Sequence, residues 1–109
     1  MADANPPLRF TVATPYPLLD RIRAWAHDAT GRGFRTEFLA ALKEMNERLE
    51  SDPVAWGDLL REYVQIDAVE MRGMIPKWLL VWYGVHDRAR QVVVRDILPA
   101  PGSPLAALS

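Results

Sequence analysis

Between Lys77 and Leu98 the chain reads KWLLVWYGVHDRARQVVVRDIL, two apolar runs separated by the polar segment His86 to Arg90. So short a polar stretch between runs of Val, Leu and aromatic residues predicts an antiparallel β-hairpin. Trp78 to Val85 is apolar almost without interruption, and Val92 to Val94 is apolar again. A half-solvated strand would alternate, so both arms are expected to be covered on both faces or paired centrally. The remainder of the chain must supply that cover.

Upstream, Leu8 to Thr14 predicts a short strand, with Leu8, Phe10 and Val12 on one face and Arg9 and Thr11 on the other. Pro15 and Pro17 stop it, and Pro17 suits the start of a helix. From Pro17 to about Thr30 the apolar positions Leu18, Ile22, Trp25 and Ala29 recur at helical spacing. Gly31 and Gly33 predict a tight connection to a second helix ending near Glu50, with Phe38, Leu42, Met45 and Leu49 on its apolar stripe. Together they read as an amphipathic helical hairpin that covers the sheet.

Ser51, Asp52 and Pro53 end that hairpin. The following VAWGDLLREY reads as a turn of helix or a loop folding Trp56 inward, with a bend at Gly57. Val64 to Met71 is a strand whose phase changes, Val64, Ile66 and Ala68 against Val69 and Met71; a bulge near Ala68 reconciles them. Gly73 and Pro76 mark the turn into the hairpin, and PAPGSPLAALS after Leu98 reads as an extended, partly mobile exit. The predicted order is β-α-α-β-β-β. It is an α+β fold, an antiparallel sheet covered on one face by a helical hairpin. Residues 1–109 form one domain in this reading, with 1–7 as a flexible lead-in and 99–109 as a Pro-rich tail.

Composition narrows the function classes. The 109 residues are half apolar and a quarter charged, with a formal net charge of −1. Nucleic-acid-binding domains usually carry a basic excess, because phosphate contacts supply most of their affinity. There is no cysteine, so no disulfide, thiolate nucleophile or Cys-based zinc site is expected. The two histidines, His27 and His86, stand far apart and do not suggest a metal site, and no cofactor motif is present. No run approaches the roughly 18 apolar residues of a membrane helix, and the N-terminus does not read as a secretory signal, so a cytoplasmic protein is expected. Among chemically able residues, Arg72, Lys77 and Arg95 fall on strand segments and form a candidate phosphate-binding cluster. His86 and Asp87 read as turn residues, and Tyr63 and Asp67 have no assignable phase.

Two stretches carry a family resemblance. FLAALKEMNERLESDPVAWGD, with Leu49, Pro53 and Gly57, resembles the second helix and following passage of the RelE/ParE toxin superfamily of bacterial type II toxin–antitoxin systems. WLLVWYGVHDRARQVVVRDIL resembles that superfamily's hairpin, through Leu80, Val81, Tyr83, Val85, Asp87 and Val92 to Val94. The likeness spans Leu8 to Leu98 and implies a RelE-like fold. It implies a toxin acting on mRNA as an endoribonuclease, or inhibiting translation or replication otherwise. RNA, the ribosome or a gyrase-like target would be the partner, with a cognate antitoxin protein. Where ribonuclease members carry a basic segment beyond the last strand, this chain has Pro99-Ala100-Pro101-Gly102. The alternative is a catalytically degenerate RelE-like scaffold serving as a protein-binding or dimerisation module, for example as a homodimer.

Overall fold

A computed structural model describes residues 9–105. The elements are β1 (Thr11–Ala13), α1 (Tyr16–Arg32), α2 (Arg35–Ser51), α3 (Pro53–Trp56), β2 (Asp58–Tyr63), β3 (Ala68–Ile75), β4 (Leu79–His86) and β5 (Gln91–Pro99). A turn of 3-10 helix, Val64–Ile66, joins β2 to β3. The result is an α+β fold built on a five-stranded sheet in the order β1-β5-β4-β3-β2.

The expected helical hairpin forms. α1 buries Leu18, Trp25 and Ala29, and α2 buries Phe38, Ala41, Met45 and Leu49, so each apolar stripe becomes a packing face. α1 ends at Gly33 (φ 84°), where the Phe34 N–H donates to the Ala29 carbonyl at 3.0 Å. Gly33 supplies the expected left-handed end, whereas Gly31 stays within α1, which runs two residues past the expected end near Thr30. Phe34 and Phe38 both pack against Trp78 at the start of the hairpin, with ring centroids 5.7 and 6.3 Å apart.

Four expectations need correction. The sheet is mixed, because β1 runs parallel to β5 while every other pair is antiparallel. The segment read as helical turn or loop holds both α3 and an additional strand, β2. Its residues Asp58 to Glu62 are all exposed, so no apolar alternation advertised it. The strand expected from Val64 to Met71 starts only at Ala68, after the 3-10 turn and a left-handed Asp67 (φ 54°). The phase change thus marks the end of one element, and Gly73 lies within β3 rather than in the turn. Finally, 99–109 is no loose tail throughout: Pro99 ends β5, and Ala100, Ser103 and Leu105 are buried. The expected lead-in 1–7 and Leu8 lie outside the described residues.

The doubly apolar hairpin is paired centrally, since β5 and β4 lie between β1 and β3, and the helices cover one of its faces. Along β4 burial alternates strictly, with Leu79, Val81, Tyr83 and Val85 buried and Leu80, Trp82, Gly84 and His86 half-buried. The first set joins Met71, Ile75, Val92, Val94 and Ile97 beneath the helices as the core. The second set lies on the other side of the sheet, which no helix covers.

Tyr83 anchors the core to the α3 corner. Its ring stacks on Trp56 at 5.5 Å between centroids, and its hydroxyl donates to the Pro53 carbonyl. Burial pushes the phenol well above its usual range. The folded chain therefore holds this proton where an unfolded tyrosine, ionising near 10, releases it. Stability from this group is complete below pH 10 and falls as pH rises beyond it, by up to about 1.4 kcal/mol per pH unit. Thermal melts from pH 9 to 11 should show a steeper fall for the natural chain than for Tyr83→Phe. Parallel slopes would remove Tyr83 as the cause.

Candidate functional site on the open face of the sheet

Strand register arranges the open face in rows. One row is apolar, Met74–Leu80–Leu98, and the next runs Asp58–Arg72–Trp82–Asp96. Beyond it come Arg61–Glu70–Gly84–Val93 and Tyr63–Ala68–His86–Gln91. Residues directly opposite one another share a face, so these rows put chemistry-bearing groups from four strands side by side.

Two bulges adjust the pattern. In β2 the register shifts between Leu59 and Arg61, and in β5 it shifts opposite Trp82 and Tyr83, leaving Arg95 as the extra residue. Bulges re-aim side chains and recur beside functional sites. Here Arg95 joins the lining of a concavity of about 250 Å³ with Tyr63, Glu70, Gly84, His86 and Val93. Gly84 leaves the floor low, since a Cβ there would meet only the Val69 carbonyl, at 3.8 Å.

The carboxylate in this concavity is held in place. The Tyr63 hydroxyl donates to Glu70 Oε1 at 3.1 Å, and the Arg61 guanidinium lies over the Tyr63 ring, 5.9 Å from its centroid. Glu70 and His86 are diagonal neighbours on adjacent antiparallel strands, a relation that spans roughly 7–8 Å. The site thus offers a carboxylate, an imidazole and a guanidinium around an apolar floor. Such convergence of polar groups in a concavity is what a binding or catalytic site requires.

Of the three cations singled out from sequence, two face this region. Arg95 lines the concavity, and Arg72 stands one row away, across Trp82 and about 10 Å from β5 at ordinary strand spacing. Both are exposed, and neither has an ion-pair partner among the described residues. Lys77 is separate. It sits in the β3–β4 turn with φ 75°, beyond the far end of β3. Asp96, beside Arg95, is taken by α1: Arg21 donates to Asp96 Oδ1 at 2.8 Å and to the Ile97 carbonyl at 2.7 Å. That contact occupies the stretch of β5 that β1 leaves unpaired.

Glu70, Tyr63 and His86 were not legible as site residues. His86 reads as a turn residue but closes β4, and the turn begins at Asp87. The usable signal was phase: once β3 starts at Ala68, Glu70 and Arg72 alternate in step with Gly84 and His86 across the hairpin. With Asp96 already paired to Arg21, the face sets Arg61, Arg72 and Arg95 against Asp58 and Glu70, a basic excess of a single charge. Among the described residues no group of His, Asp or Glu is arranged to hold a metal ion, and no helix is long and apolar enough to cross a membrane. Comparison with protein-family models, with curated proteins and with solved structures finds no match to this chain.

Proposed function

We propose that this chain is a RelE/ParE-like toxin-family protein whose open sheet face cleaves RNA. The observation that carries the reading is the shared concavity of Glu70, His86 and Arg95. In this scheme Glu70 accepts the proton of a ribose 2′-hydroxyl, whose oxygen attacks the adjacent phosphorus. His86 acts as the acid, giving a proton to the departing 5′-oxygen, and Arg95 stabilises the charge that develops on the phosphoryl oxygens. The products are a 2′,3′-cyclic phosphate and a 5′-hydroxyl end. Tyr63 is a positioning residue, orienting the Glu70 carboxylate through its hydroxyl.

The second reading is a protein-binding scaffold of the same type. Two observations favour it: the weak charge excess of the face, and the apolar row in which Met74 is 49% and Leu98 41% exposed. A patch of that kind suits a partner protein better than a polyanion. A cognate antitoxin is the partner under the toxin reading; the scaffold would bind another protein or a second copy of itself.

Induced expression in a bacterium, with RNA ends mapped, separates the two. Growth arrest accompanied by new 5′-hydroxyl ends is expected for the nuclease. Normal growth and intact RNA at confirmed soluble expression would discard the nuclease and leave the scaffold.

A further inference from the structure

Behind the open face, at the same end of the sheet, a second concavity of about 300 Å³ breaks the cover of the core. Its walls are apolar: Val54 of α3, Val64 of the 3-10 turn, and Val69 and Val85 of β3 and β4. Val69 and Val85 belong to the helix-covered side of the sheet, so here the core reaches the surface. Val54 and Val64 are 48% and 77% exposed, so with Val69 and Val85 they leave a contiguous apolar wall open to solvent. The rim is acidic. Glu62, Asp67 and Asp87 line it; Arg88 pairs with Asp67 at 3.3 Å, while Glu62 and Asp87 have no ion-pair partner among the described residues.

We infer that this cleft seats a short segment of a partner protein, an aliphatic anchor flanked by lysine or arginine. The volume lies at the small end of ligand pockets, room for aliphatic side chains rather than for a folded element. The two uncompensated carboxylates fix the sign of the flanks. An acidic or neutral segment would bury its anchor equally well but would meet repulsion or no attraction at the rim. The inference stands independently of RNA cleavage, since it uses neither Glu70, His86 nor Arg95. It has one bearing on that face all the same: Tyr63 and the Ala68–Val69 corner line both concavities, so an occupant behind the sheet presses on the segment that positions Glu70.

The test uses the full chain and two fluorescein-labelled peptides, Gly-Lys-Leu-Arg-Leu-Lys-Gly and Gly-Glu-Leu-Glu-Leu-Glu-Gly, followed by anisotropy. The basic peptide should bind, and the acidic one should not. Glu62→Lys with Asp87→Lys should weaken the basic peptide tenfold or more, and Val64→Asp should weaken it even though it adds negative charge. Glu37→Lys with Glu44→Lys makes the same charge change on exposed α2 positions and should leave affinity within twofold. Equal binding of both peptides, no binding of the basic one, or equal losses from the two charge reversals would each overturn the inference. Circular dichroism of each variant guards against misfolding.

Discussion

Gly73→Ala should lower the thermal midpoint by roughly 5–20 °C, a large effect for one methyl group. A Cβ at residue 73 would stand 2.7 Å from the Trp56 ring, well inside contact distance. The indole has little freedom to yield, because its other neighbour is the ring of Tyr83, stacked at 15° between planes. Tyr83 in turn is fixed by the bond to the Pro53 carbonyl and by its close seat against Gly57, where a Cβ would come within 2.5 Å of the Tyr83 hydroxyl. Overpacking of a closed site costs about 1–3 kcal/mol. The mechanism predicts its own cure. Trp56→Ala destabilises the natural chain by opening a gap over Gly73, but in the Gly73→Ala background it should cost much less, since it also removes the clash. Additive losses in calorimetry would place the Gly73 effect elsewhere, because only residues in contact couple strongly.

The second large effect concerns the open face. If Glu70 and His86 are the base and acid of RNA cleavage, Glu70→Gln and His86→Ala should each reduce single-turnover cleavage by about 10²–10⁴-fold. The double variant should be little worse than either alone, as groups acting on one proton-transfer sequence are not additive. Tyr63→Phe should lose far less than Glu70→Gln, and the loss should fall on the cleavage rate at saturating RNA rather than on RNA binding, since it acts only through the orientation of the carboxylate. Lys77→Ala is the control; it lies in the turn at the other end of β3 and should keep full activity. Full cleavage by His86→Ala would remove the concavity from the mechanism, whatever the fate of the arginines.

How much of this was readable in advance depended on burial. The helical hairpin was legible because Leu18, Trp25, Ala29, Phe38, Met45 and Leu49 are core residues spaced by the helix period. The central hairpin was legible for the same reason, and its second apolar phase fits strands paired on both edges within the sheet, though it did not choose between that and cover on both faces. Leu80 and Trp82 read like a covered face, yet they border open solvent, and hydrophobic content alone does not say what lies opposite. β2 left no trace, being an exposed edge strand of Asp, Leu, Leu, Arg, Glu and Tyr held by backbone pairing to β3. The site was the least legible part. Its members come from β2, β3, β4 and β5, and their convergence depends on where β3 begins and on a bulge at Arg95, both of which are register facts. Register is a property of paired strands and is invisible in one of them.

The parallel pairing of β1 with β5 has a consequence for the order of events as the chain is made. Thr11 lies against Gln91, so β1 has no strand partner until β5, about 80 residues later, exists. The helices and the β2–β3–β4 meander can associate earlier through contacts nearer in sequence, but the sheet closes only when both ends of the chain are present. Closure across so long a loop makes this edge a late step in folding. A nascent chain stalled before β5 would expose β4's unpaired backbone and the apolar core beneath it, the kind of surface that chaperones recognise.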